Sequence, residues 1–192
     1  MSSKFNIANL LTWFRIAAIP LIAFVYYLPP GKWMHPLACI IFTIAGLTDW
    51  LDGYLARRLN LTSKFGAFLD PVADKLMVTT TLVIIVQSDP RILIALTAAI
   101  IIGREFTISA LREWMAELGA RKLVAVSGFG KIKTIMQMVG LGMMIWTYPI
   151  YGLRVYEIGM GLLIISAGLT MYSMFVYIRA AWPALTESDD VS

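Results

Sequence analysis

The chain has 192 residues, 59% of them hydrophobic, a mean hydropathy of +0.75 and a formal net charge of +4. Such a composition excludes an ordinary soluble globular domain, and no nucleic-acid partner is expected from so small a net charge. The single cysteine, Cys39, excludes an intramolecular disulfide and reads as a small core residue.

Six apolar segments follow one another with short polar breaks: Ile7–Leu28, Pro36–Tyr54, Ala67–Gln87, Ile92–Leu111, Ile132–Trp146 and Tyr156–Tyr177. Each approaches the roughly 20 residues that a helix needs to cross a bilayer. They predict an all-α integral membrane protein with six transmembrane helices, a single domain over residues 1–192 with a short polar tail at about 183–192. The first segment is preceded by one charge, Lys4, and no small-residue cleavage pattern closes it, so it reads as a retained span. It opens with Asn9-x2-Thr12-x2-Arg15, three polar groups on one side of a helix. Alone, that is an amphipathic start with Arg15 snorkelling to the interface.

The breaks carry turn chemistry: Pro29-Pro30-Gly31, Asn60-Leu61-Thr62-Ser63, Ser88-Asp89-Pro90, Gly128-Phe129-Gly130 and Tyr148-Pro149. Across six spans, Lys4, Arg57, Arg58, Lys64, Arg104, Arg112, Arg121, Lys122, Lys131, Lys133 and Arg179 fall on one side, against Lys32, Arg91 and Arg154 on the other. The positive-inside rule puts the first group, and both termini, in the cytoplasm. Trp33, Trp146, Tyr148, Tyr151 and Tyr156 gather toward the opposite face as an aromatic belt.

The second and third segments carry Asp49-x2-Asp52-Gly53-x2-Ala56-Arg57-x8-Gly66-x3-Asp70-x3-Asp74. Asp49 and Asp52 share one helical face, as do Asp70 and Asp74, and a turn between Arg57 and Gly66 brings the pairs together at the cytoplasmic side. Carboxylates near lipid are costly unless paired, liganded or catalytic, and converging aspartates suit hard divalent cations. Gly53 and Ala56, on the same face, either let helices pack closely or let a flat ligand approach the backbone; beside four aspartates the second reading is preferred. Gly66 is a helix-starting or turn residue. Arg57 is read as a phosphate ligand and Arg58 as a snorkelling cation.

Further along, Arg104 and Arg112 lie two helical turns apart on one face. Lys131 and Lys133 open the fifth segment, near a helix N-terminus that favours anions. Together they predict a basic pocket for a phosphate, whereas Arg121 and Lys122 read as membrane anchors. The only histidine, His35, falls on the far side and is not expected to act as a nucleophile.

The aspartate pattern resembles the signature of the CDP-alcohol phosphotransferase family, matching Asp49, Asp52, Gly53, Ala56, Arg57, Gly66, Asp70 and Asp74. The resemblance covers essentially the whole chain, and it implies attack of an alcohol on the diphosphate of a CDP-linked lipid, with release of CMP. It implies Asp49, Asp52, Asp70 and Asp74 as ligands to Mg2+ or Mn2+, two ions per site, and Asp74 also as general base. Asp52, Gly53, Ala56, Arg57 and Gly66 would bind the CDP-lipid, joined by Asn9, Thr12 and Arg15. The segments around Arg104–Glu113 and Gly130–Thr134 look like those of the bacterial branch whose acceptor is sn-glycerol 3-phosphate. The partners so implied are CDP-diacylglycerol, sn-glycerol 3-phosphate and membrane lipid, in a homodimer of the bacterial inner membrane. Inositol phosphate would also need a basic pocket and stands as a rival acceptor. A divalent-cation transporter is the rival outside the enzymes, but its site would be expected near the bilayer midplane.

Overall fold

The structure, a computed structural model, describes residues 7–29, 31–59, 64–117 and 129–186. Six helices occupy this part: α1 (Ile7–Tyr26), α2 (Met34–Leu59), α3 (Lys64–Ser88), α4 (Ile92–Glu117), α5 (Phe129–Trp146) and α6 (Val155–Thr186). Each coincides with one of the apolar segments, because long runs of Leu, Ile, Ala, Met and Val satisfy their backbone polar groups internally as helix.

The helices mostly extend beyond the sequence expectation, except that α1 ends at Tyr26 and not at Leu28. Helices α2, α4 and α6 run past Tyr54, Leu111 and Tyr177 to Leu59, Glu117 and Thr186, and α3 begins at Lys64 rather than Ala67. Counting apolar residues stops at the first charges, but Arg, Glu and Ala are good helix formers and carry each helix onward. Of the stretch between Arg57 and Gly66 expected as a turn, residues up to Leu59 and from Lys64 are helical, and residues 60–63 lie outside the described part. Phe129 and Gly130, expected in a break, are the first residues of α5, and the expected tail from 183 begins as the last turn of α6. Lys4, Arg121, Lys122 and the acidic residues from 187 onward lie outside the described residues.

Helix α1 packs on α2 and α3, α2 also on α5, and α6 on α4 and α5, with α3 touching α4 and α5. The core between them is apolar, with Ile22, Phe42, Leu82, Ile85, Leu141, Met144 and Leu163 fully buried. A smaller cluster of Ile108, Leu111, Met115 and Tyr177 joins the far ends of α4 and α6. Cys39 is half-buried against the main core and its thiol donates to the Gly142 carbonyl at 3.2 Å. Helices α5 and α6 approach most closely at Gly140 and Gly159, where a Cβ on either would fall 2.9 or 2.7 Å from the other's carbonyl oxygen. Only glycine permits that contact.

The exterior is as apolar as the interior: Phe24, Leu96, Phe106, Tyr172 and Phe175 are all exposed. Apolar surface of this extent is a lipid-facing or partner-facing surface rather than a wetted one. Helices α4 and α6 hold stretches, Ile92–Ala116 and Val155–Arg179, long and apolar enough to cross a membrane, and α1, α2 and α5 hold shorter apolar runs.

The two ends of the bundle differ. One end collects the start of α1, the end of α2 and the start of α3, and carries the aspartates. At the other, Asp89 accepts from Arg91 Nη2 and from the Tyr156 hydroxyl, each at 2.7 Å, tying the α3–α4 connection to α6. Those bonds, the one to Arg91 foremost, hold the Asp89 carboxyl below its usual range. Nearby, His35 packs edge-on against Tyr26 and Tyr148. The α5–α6 connection turns at Tyr151 (φ 49°) and Gly152 (φ 81°), flanked by reciprocal backbone bonds between Ile150 and Leu153. Two successive left-handed residues are what a tight type I′ hairpin requires.

Candidate active site

Three of the four signature aspartates have described side chains, and they meet around the first helix. Arg15 is completely buried, with its guanidinium between two helices. Its Nη1 donates to Asp74 Oδ1 at 2.7 Å, and its Nη2 forms an ion pair with Asp49 Oδ1, also at 2.7 Å. One turn earlier on the same face of α1, the buried Thr12 hydroxyl donates to Asp70 Oδ1 at 2.7 Å. Asp49 and Asp74 share the Arg15 guanidinium, yet their side chains remain 41% and 47% exposed. They are held from behind and open in front.

Local sequence explains the convergence. The i, i+4 spacing of Asp70 and Asp74 sets them one turn apart on α3. Thr12 and Arg15, at i, i+3 on α1, run alongside with matching rise. Pro71 sits inside α3 directly after Asp70, where its missing N–H frees the carbonyl four residues back. Gly66 lies in the first turn of α3 and is buried. Asn9, Asp52, Gly53, Ala56, Arg57 and Lys131 belong to helices α1, α2 and α5, but their side-chain placement lies outside the described part.

Beside the aspartates opens a cavity of about 270 Å³. Asp74 and Lys75 of α3, Arg104, Glu105 and Arg112 of α4, Lys133, Thr134 and Gln137 of α5, and Thr170 and Tyr177 of α6 line it. Arg104, Arg112 and Lys133, three of the four cations expected to gather, are thus in one place with Asp74. Lys133 is buried and its Nζ donates to Ser173 Oγ at 3.2 Å. Arg104 pairs with Glu105 at 3.0 Å, and its buried Nε has no hydrogen-bond partner. Sequence reading missed Lys75, Gln137, Thr170, Ser173 and Tyr177. The signal was present for some: Gln137 lies four residues after Lys133, and Thr170, Ser173 and Tyr177 share a face of α6.

A second, apolar cavity of about 570 Å³ runs between α2 and α5. Its wall includes Phe42, Gly46, Leu47, Met138, Gly142 and Trp146, and it ends at Thr134, which also lines the basic cavity. The charged pocket and the apolar groove thus share one lining residue, Thr134.

Among the described side chains no three acidic, histidine or cysteine groups stand close enough to close on one metal ion; Asp52, the fourth of the expected set, is not among them. The donor chemistry nonetheless fits a hard divalent cation. Asp49, Asp70 and Asp74 offer only oxygen; two of them share the Arg15 guanidinium and the third accepts from the neutral Thr12 hydroxyl, leaving an excess of negative charge that a cation would balance.

This chain belongs to the CDP-alcohol phosphatidyltransferase family, whose profile it matches over residues 5–178. It is 50% identical over 185 residues to the CDP-diacylglycerol–glycerol-3-phosphate 3-phosphatidyltransferase of Pectobacterium atrosepticum, covering 96% of this chain and 99% of that one. It is 48% identical over 178 residues to the proteins of that name from Shigella flexneri serotype 5b and Salmonella typhimurium, covering 93% of this chain and 96% of theirs.

Proposed function

We propose that the chain transfers the phosphatidyl group of CDP-diacylglycerol to sn-glycerol 3-phosphate, giving phosphatidylglycerophosphate and CMP. The observation that carries this reading is the shared cavity: Asp74 lines one wall, and Arg104, Arg112 and Lys133 line the others. The names of relatives at 48–50% identity support the same substrates.

In this reading the acceptor's phosphate is gripped by Arg104, Arg112 and Lys133, with Lys131 at the same helix start. A guanidinium fork suits phosphate geometry, and the unpartnered Arg104 Nε supplies one further donor. A free hydroxyl of the acceptor reaches Asp74, which takes its proton. The hydroxyl oxygen attacks the phosphorus bearing the diacylglycerol, a P–O bond forms, the bond to CMP breaks, and CMP leaves. Asp49, Asp52, Asp70 and Asp74 would hold Mg2+ or Mn2+, in a two-ion centre. Bound there, the metal neutralises charge on the reacting phosphate. Asp52, Gly53, Ala56, Arg57 and Gly66, with Asn9 of α1, form the CDP side. The groove between α2 and α5 suits an acyl chain of the donor, since its wall is apolar and it shares Thr134 with the charged cavity. All six helices then span the inner membrane with both termini and the site on the cytoplasmic side, and the protein works as a homodimer.

The test is CMP release by purified protein from CDP-diacylglycerol with Mg2+, offering glycerol 3-phosphate, inositol phosphate, serine and phosphatidylglycerol separately. Release dependent on glycerol 3-phosphate is expected. Release with another alcohol alone would keep the reaction and overturn the acceptor. Metal binding without release in any arm would point to a cation transporter.

A further inference from the structure

The sequence placed Thr12 and Arg15 against the nucleotide. Their surroundings argue for a different task. Both side chains are almost wholly buried, 1% and 0% exposed, so neither presents a free face to a ligand arriving in the cavity. Arg15 is not among the residues that line that cavity, whereas Asp74 is. Both instead hold an Oδ1 of signature aspartates: Thr12 that of Asp70, Arg15 those of Asp74 and Asp49. The side chains of Asp49 and Asp74 nonetheless stay part-exposed, and Asp74 lines the cavity.

We infer that Thr12 and Arg15 are positioning residues that fix the aspartates for metal binding from behind, and that they do not contact the nucleotide. The inference rests on the metal-centre reading above. The physical case is one of reach and rigidity. Asp49 and Asp74 belong to different helices and carry like charges, so they would splay apart without a cation between them. A planar guanidinium has donors in a fixed fork and can bond both carboxylates at once, which an ammonium cannot do with the same geometry. Taking one oxygen from each aspartate, it aims the remaining oxygens outward. The Thr12 hydroxyl does the same for Asp70 without adding charge. Partners behind metal-ligating carboxylates set ligand orientation, and their loss commonly costs about 10–100-fold in metal affinity.

Mn2+ binding to the purified full-length protein, followed by electron paramagnetic resonance with and without CMP, tests the inference apart from catalysis. Thr12→Val is expected to weaken Mn2+ binding about 10–100-fold and Thr12→Ser to restore it. Arg15→Lys, which keeps the charge but loses the fork, should weaken binding as well. In turnover assays these variants should need more Mg2+ for half-maximal activity, while the KM for CDP-diacylglycerol at saturating Mg2+ stays near wild type. Unchanged Mn2+ affinity with a raised KM for CDP-diacylglycerol would overturn the inference and return both residues to the nucleotide. Wild-type protein that binds no Mn2+ in either condition would sink the metal-centre reading itself. The Thr12 pair and Arg15→Lys decide the matter without an Arg15→Met variant, which would leave two carboxylates without their cation.

Discussion

Arg15 shows what a residue can and cannot disclose in sequence. An arginine near the start of an apolar segment reads as a snorkelling anchor, and only the packing of α1 against α2 and α3 turns it inward, to zero exposure between two carboxylates. The aspartates themselves were legible, because charges at i, i+3 and i, i+4 inside membrane-grade sequence have few uses. Lys133 was legible as a cation but not as a buried one; its bond to Ser173 joins residues 40 apart, a contact that no local pattern reports. Two outcomes follow at this scale. Asp74→Asn should lower CMP release about 10²–10⁴-fold, the usual worth of a general base, while CDP-lipid binding persists in part. Lys133→Ala should raise the KM for glycerol 3-phosphate about 10–100-fold, as expected for one charged hydrogen bond, with the KM for CDP-diacylglycerol unmoved. Initial rates across both substrates separate these effects.

At the scale of elements, hydropathy located every helix but shortened most of them at the end that carries the aspartates, since amphipathic last turns look like loops when only apolar residues are counted. Contacts between helices were the less legible part. Nothing in the sequence singles out Gly140 and Gly159 from the other glycines, yet each faces the other's carbonyl. Gly159→Ala should force α5 and α6 apart and destabilise the fold by about 1–3 kcal/mol, the cost of overpacking, seen as a lower melting temperature in detergent. Gly161→Ala, with open space around it, should be neutral by the same measurement. The Asp89–Arg91–Tyr156 tie makes a pH prediction. Because the folded state depresses the Asp89 carboxyl, its contribution is present above the ordinary aspartate range of about 3.9 and is lost as pH falls below it. Asp89 and Arg91 are partly exposed, so the effect is small, about 0.2–1 kcal/mol. The gap in melting temperature between wild type and Asp89→Asn should narrow as pH is lowered from 6 to 3.

For the whole molecule, the all-helical fold and the gathering of polar groups at one end were readable from segment count and charge asymmetry. The apolar groove was not, since it depends on how α2 lies against α5. That groove carries a prediction about donor choice. Filling the groove with Gly142→Leu should depress turnover of long-chain CDP-diacylglycerol and spare a short-chain analogue, measured as the ratio of kcat/KM between the two. An equal loss on both substrates would show that the groove takes no part in holding the lipid.

Because the cations and Asp74 line a single cavity, their spacing would act as a molecular ruler in the proposed reaction. A three-carbon acceptor held by its phosphate would present its terminal hydroxyl furthest from the grip and its middle hydroxyl short of it. The regiochemistry of the product would then be set by the offset of α3 from α4 and α5. Moving the cationic end by one helical turn should change the bond that is made before it changes the rate at which the substrate binds.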